Sequence, residues 1–204
     1  FVAAPGFTFV SCDYSQIELR LIAAISHDER MLQAFREKQD IHRATAAAIW
    51  NVPLAEVTAD QRRIAKAINF GIIFGQEPHG LSQVAGISFA DAKKFIDTYF
   101  EVYKGVRKYM TETKALAHIQ GFVETLSGRR RYLPDLNSSM YPLRAAAERM
   151  AINMPVQGTD ADLMKRAMIV VAEKLPKFSK ETALLLQVHD ELVLEVPDKD
   201  VERV

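Results

Sequence analysis

The chain has 204 residues, 49% of them hydrophobic, and its 26 Lys and Arg balance 26 Asp and Glu. That length and apolar content suffice to bury a core and argue against disorder, with one or two domains expected. Balanced charge supplies no whole-chain positive field, so a site for a polyanion must come from local clustering, and the single cysteine, Cys12, excludes an internal disulfide.

No signal peptide and no apolar run of membrane-spanning length is readable, which predicts a soluble protein of a reducing compartment. The chain opens on Phe1 and stops at Val204 in a charged, helix-like stretch, and so reads as a segment of a longer protein.

Residues 7–13 read as a short buried strand after Pro5-Gly6, with Cys12 a buried small side chain, and an apolar-periodic helix follows from Ser15 through Ile17, Leu21 and Ala24. Asp13 and Tyr14 fall at the junction. Further helices are predicted from Asp28 and from Asp40-Ile41-His42 to Trp50, the latter ended by Asn51-Val52-Pro53.

Thr58 and Gln61 have capping-box spacing and launch a helix to Phe74. Arg62, Lys66, Phe70 and Phe74 are each four residues apart, so one face presents two cations and then two rings. Ser88 and Asp91 cap another helix to about Tyr99, and residues 104–119 form one more. Residues 121–126 alternate like a strand and run into Arg129-Arg130-Arg131. Residues 141–175 are helical, with Pro155 expected to break them into two pieces. Residues 183–188 and 191–196 are β-rich, and His189-Asp190 between them has hairpin spacing.

Asp13 therefore ends the first strand and Asp190 sits at the tip of the last hairpin. If the two strands are neighbours, their carboxylates are hard oxygen ligands suited to Mg²⁺, which takes a few carboxylates plus substrate phosphates. A turn-forming role is the plainer reading of either aspartate alone. Arg62 and Lys66, one helical turn apart, suit successive phosphates of a triphosphate, and Lys66 could donate a proton to the leaving group. A solvated face is the plainer reading of such a pair. Two exposed rings on the same face, however, would be wasteful unless they meet a core or a base.

Three segments resemble, in order, the signatures of the family A, Pol I-type DNA polymerases: Asp13-Tyr-Ser-Gln-Ile-Glu-Leu-Arg20, Arg62-Arg-Ile-Ala-Lys66-Ala-Ile-Asn-Phe70-Gly, and Gln187-Val-His-Asp190-Glu. Asp40-Ile-His42, Leu126-Ser-Gly-Arg-Arg-Arg and the stretch from Arg149 to Gln157 extend the similarity over the whole chain. The resemblance implies an α+β right-hand architecture. Palm would occupy 1–27 and 141–204, mostly helical fingers would occupy 28–140, and the thumb and part of the palm would lie outside the chain.

It also implies roles. Asp13, Asp190 and the carbonyl of Tyr14 would ligate two Mg²⁺ ions, for which Mn²⁺ can substitute, with Glu191 an accessory carboxylate. Arg62, Lys66 and His42 would hold an incoming dNTP with Gln16 close by, Lys66 would serve as acid for pyrophosphate, and Glu18 would exclude a 2′-hydroxyl. Phe70 would lie against sugar and base, which implies rejection of dideoxynucleotides. Phe74 would stack near the template base, where the family usually has Tyr; the missing hydroxyl implies a less firmly oriented Glu18. Arg149, Asn153, Gln157 and His189 would touch primer–template DNA, and Arg129, Arg130 and Arg131 its phosphates. The implied protein is a monomer of a bacterial, phage-infected or organellar interior. A two-metal nuclease and a non-catalytic nucleic-acid-binding module are the competing readings.

Overall fold

The structure, a computed structural model, describes residues 1–204. The chain forms an α+β fold of two compact units, residues 1–17 with 159–204, and residues 18–158. No helix is long and apolar enough to cross a membrane.

The first unit is built on a three-stranded antiparallel sheet of order β1 (Phe7–Asp13), β5 (Glu191–Pro197), β4 (Ala183–Val188). Strand β5 is central and alternates as a half-buried strand must: Leu192, Leu194 and Val196 point inward while Glu191, Val193 and Glu195 point the other way. Leu194 and Val196 pack with Leu175, Val10, Val171, Leu184 and Val201. Pairing of β4 with β5 slips between Leu184 and Leu186, leaving Leu185 as a bulge. His189, with φ 54°, turns the hairpin.

One expectation fails in β1. The strand is an edge with β5 as its only ladder partner, most of its residues are exposed, and so is Cys12. An apolar run shows strand propensity but not how many neighbours cover it.

The second unit is helical apart from one small hairpin. Its elements are α1 (Ile17–Ser26), α2 (Glu29–Arg36), α3 (Ile41–Trp50), α4 (Ala59–Ile73), α5 (Pro78–Ala85), α6 (Phe89–Val102), α7 (Lys104–Gln120), β2 (Phe122–Glu124) and β3 (Arg130–Tyr132). The expected starts are present as caps: Asp28, Asp40, Thr58 and Ser88 each accept a backbone N–H in the first turn of their helix. At Thr58 both bonds of the capping box form. Asn51 closes α3 in the left-handed conformation. Helix α5, with Pro78 in its first turn, was not legible in the sequence. The basic run after Gly128 enters a strand, since Arg130 and Arg131 belong to β3.

Helix α8 (Tyr141–Phe178) runs 38 residues and continues through Pro155, contrary to the expected break. A proline inside a helix removes one N–H and crowds the carbonyls of the preceding turn. The carbonyl that loses its donor is Ala151 O, four residues back, and the neighbouring Ile152 O receives the Tyr109 hydroxyl at 3.0 Å. On its inner face Ala147, Ala151 and Met154 pack with Ala117, Val123, Leu133 and Leu136, so tertiary burial outweighs the local cost.

Candidate active site

In the first unit, Asp13 is the last residue of β1 and stands opposite Glu191, the first of β5. One step beyond, the Tyr14 N–H donates to the Asp190 carbonyl at 3.1 Å. The condition attached to the two aspartates is thus met: their strands are neighbours, and both residues lie at the same end of the sheet. Directly paired residues share a face, as do residues two apart in a strand. Accordingly the Ser11 hydroxyl donates to the Glu191 carboxylate, holding it along the strand from Asp13.

A fourth acid was missed by sequence reasoning. Asp160, on α8, has its pKa raised by burial and further by the facing charge of Asp190. Its Oδ1 is sealed from solvent with no hydrogen-bond partner. In the sequence it is one acid of an ordinary helical stretch, and only the long-range packing brings it to Asp190. No group of three or more His, Cys, Asp or Glu forms a ready-made metal cage. The fit is instead to an ion that takes few protein oxygens: these acids would be joined by a substrate phosphate in holding a divalent cation.

In the second unit, Asp40 organises two elements. Its Oδ1 accepts the N–H of His42 at 2.9 Å and of Arg43 at 3.2 Å, capping α3, while Oδ2 accepts Arg62 Nε of α4 at 2.6 Å. Burial pushes the Asp40 carboxyl up, but the Arg62 guanidinium and the backbone donors together hold it below the usual value. Arg62 is bound only through Nε, leaving its two terminal nitrogens available. Lys66 is exposed one turn on.

The rest of the face is aromatic. Phe70 stacks on Phe74 with ring centroids 6.4 Å apart and lies 5.9 Å from the His42 ring. His42 is 2% exposed. Burial pushes its pKa down to about 4, resisted by Asp40 and reinforced by Arg62 and Lys66, so the ring is neutral at pH 7. Its Nδ1 lies 3.0 Å from Asn69 Nδ2, and Asn69 Oδ1 is 3.1 Å from the Thr45 hydroxyl. Asn69, fully buried, was not singled out in the sequence.

The remaining candidates divide by what already occupies them. Glu18 lies in the first turn of α1, half-buried; Gln16, in the first unit, takes a left-handed φ of 56°. On α8, Arg149 is exposed and its stem lies against Gly75, where a Cβ would come within 3.0 Å of Arg149 Cγ. Arg149 also lines a cleft of about 390 Å³ with Gln76, Phe100, Lys114 and Tyr141. Asn153 is half-buried, with Oδ1 unpartnered, and Gln157 is exposed. The three arginines have internal partners: Arg129 donates to Gly158 O at 2.8 Å, Arg130 pairs with Glu124 at 2.5 Å and covers the Phe122 ring, and Arg131 reaches Met150 Sδ at 3.1 Å. His189 is exposed at the hairpin turn.

An α+β chain with a carboxylate-bearing sheet end in one unit and a helix of cations and rings in the other has the parts of a nucleic-acid polymerase domain. The family model described as DNA polymerase family A matches residues 1–204, and the chain belongs to that family. The chain is 52% identical over 204 residues to the DNA polymerase I of Pseudomonas aeruginosa, covering 100% of this chain and 22% of that protein. Against the thermostable DNA polymerase I of Thermus aquaticus it is 48% identical over 204 residues, again 100% of this chain and 24% of the relative. A solved structure, the POL domain of Pol1 from M. smegmatis in complex with DNA primer-template and dNTP, superposes with a TM-score of 0.91 at 41% identity, covering 97% of this chain and 35% of that one. The chain thus spans about a quarter of the length of these two full relatives.

Proposed function

We propose that the chain carries the catalytic groups of a template-directed DNA polymerase that transfers deoxynucleotides from dNTPs to a primer 3′-hydroxyl. The observation that carries this reading is the shared sheet end of Asp13 and Asp190, fixed by the β1–β5 ladder and the Tyr14–Asp190 bond. Primer-template DNA and dNTP in the superposed M. smegmatis domain support the choice of ligands.

Asp13, Asp190 and the Tyr14 carbonyl would hold the metal ions. Two Mg²⁺ ions, replaceable by Mn²⁺, supply Lewis-acid stabilisation of the attacking and leaving oxygens. In the reaction the primer hydroxyl loses its proton and forms a bond to the α-phosphorus as the bond to the β-phosphate oxygen breaks. Arg62 grips the triphosphate with the terminal nitrogens that Asp40 leaves open, His42 and Gln16 assist, and Lys66 offsets the charge on pyrophosphate and gives it a proton. Phe70 positions sugar and base, Phe74 the template base, and Glu18 excludes a ribose 2′-hydroxyl. Glu191 and Asp160 shape the field around Asp190. Arg149, Asn153, Gln157 and His189 contact the primer–template, and Arg129, Arg130 and Arg131, besides their internal partners, contact its phosphates. Residues 1–27 and 141–204 are assigned as palm and 28–140 as fingers.

A nuclease using the same carboxylates would have no need of Arg62, Lys66 and the aromatic face. Primer extension by the whole protein with Lys66→Ala separates the two: a polymerase loses incorporation, whereas a nuclease retains cleavage.

A further inference from the structure

His42 Nε2 has no hydrogen-bond partner, yet it is not sealed from solvent, while Nδ1 is turned into the protein. Which nitrogen carries the proton decides what the ring offers outward: a donor if Nε2 is protonated, a bare lone pair if Nδ1 is. We propose that Asn69 is a positioning residue that sets the tautomer of His42, donating its amide N–H to Nδ1 so that the ring presents a neutral Nε2–H to an anionic ligand. The inference rests on the reading of His42 as a triphosphate contact.

The local hydrogen bonds set the direction. Asn69 is clamped between His42 Nδ1 at 3.0 Å and Thr45 Oγ1 at 3.1 Å. Thr45 is itself held by Ile41 O at 2.8 Å and by the Tyr103 hydroxyl at 2.9 Å. Burial pushes Tyr103 up to about 12, so it remains a phenol and a donor to Thr45. In the observed arrangement Thr45 Oγ1 donates to Asn69 Oδ1, and the Asn69 NH₂ faces His42 Nδ1. All four side chains are buried.

Electrostatics point the same way. Arg62 and Lys66 act on the ring from α4, and Asp40 from the cap of α3. Two cations and burial disfavour a third positive charge, so the ring binds an anion as a dipolar donor. A neutral donor adds a directed hydrogen bond where Arg62 and Lys66 add charge.

The test is long-range ¹H–¹⁵N correlation of the whole protein with ¹⁵N-labelled histidine at pH 7, His42 being assigned by comparison with His42→Ala. The expected spectrum has a lone-pair Nδ1 and a protonated Nε2. A protonated Nδ1, or a doubly protonated ring, overturns the proposal whether or not the protein binds nucleotide. Asn69→Asp keeps the shape but puts an oxygen against Nδ1, and is expected to move the proton to that nitrogen. In kinetics the same change should raise the dNTP KM several-fold with kcat little altered, and add nothing in a His42→Ala background. Equal effects in both backgrounds would show that Asn69 does not act through His42. An unchanged KM in both, with the expected spectrum, would overturn instead the role of His42 at the triphosphate.

Discussion

Asp13 and Glu191 face each other across the β1–β5 ladder, and the Ser11 hydroxyl binds the Glu191 carboxylate from two residues back along β1. Because side chains alternate with period two, a one-residue slip of β1 against β5 would turn Asp13 to the face opposite Glu191, so the register itself positions the pair. Glu191 is expected to act on the field and orientation of the aspartates rather than as their equal. Glu191→Ala should slow primer extension by about 10–100-fold, as loss of a supporting shell does, and single-turnover rates against wild type measure it.

His42 makes stability depend on pH. Above its unfolded value, near 6.5, the ring is neutral in both folded and unfolded chains. Below it the unfolded chain takes up a proton, whereas the folded ring resists until about 4. Stability therefore falls as pH drops through that window, by at most about 2 kcal/mol between pH 7 and pH 5. Denaturant unfolding of wild type and His42→Gln at both pH values checks this, with the variant expected to lose less on acidification.

Tyr109 donates its hydroxyl to Ile152 O of α8, next to Ala151 O, the carbonyl that Pro155 leaves without its helical N–H donor. Burial raises the pKa of its phenol, so the hydroxyl remains a donor across the working pH range. Removing it as Tyr109→Phe leaves the shape intact and should cost about 1–2 kcal/mol, read as a lowered Tm. A similar loss in a Pro155→Ala background would argue that the bond has nothing to do with the proline.

Gly105 is a position of close approach. A Cβ there would come within 2.7 Å of the Asp28 backbone Cα, and the Gly105 N–H donates to Asp28 Oδ2 at 2.8 Å while Oδ1 caps α2. Backbone cannot rotate aside as a side chain can. Gly105→Ala is expected to destabilise by about 1–3 kcal/mol, in contrast to Gly86→Ala, where nothing lies within 4 Å and only the left-handed φ of 68° opposes the change.

Local chemistry was the legible part of this chain. Capping residues at 28, 40, 58 and 88 and the hairpin around His189-Asp190 act over a few residues, and each signal appears in the fold where the sequence puts it. Non-local terms overruled it elsewhere. Pro155 carries a local penalty that burial of Ala147, Ala151 and Met154 outweighs. Cys12 belongs to an apolar strand whose edge position no local pattern encodes. In the site, the spacing of Arg62, Lys66, Phe70 and Phe74 marked one face of α4, but Asn69 and Asp160 act through partners 27 and 30 residues away in sequence, at His42 and Asp190. Side chains that serve other side chains have no periodicity of their own.

The most direct test is primer extension with Mg²⁺ by the whole protein carrying Asp190→Asn, a near-isosteric change that removes the charge while leaving the hairpin and its Tyr14 backbone bond in place. If Asp13 and Asp190 hold the ions that drive phosphoryl transfer, extension should fall about 10³-fold or more, equivalent to some 4 kcal/mol of transition-state stabilisation, with primer–template binding and Tm nearly unchanged. Extension within about tenfold of wild type, some 1.4 kcal/mol, by a folded and DNA-binding variant would contradict it.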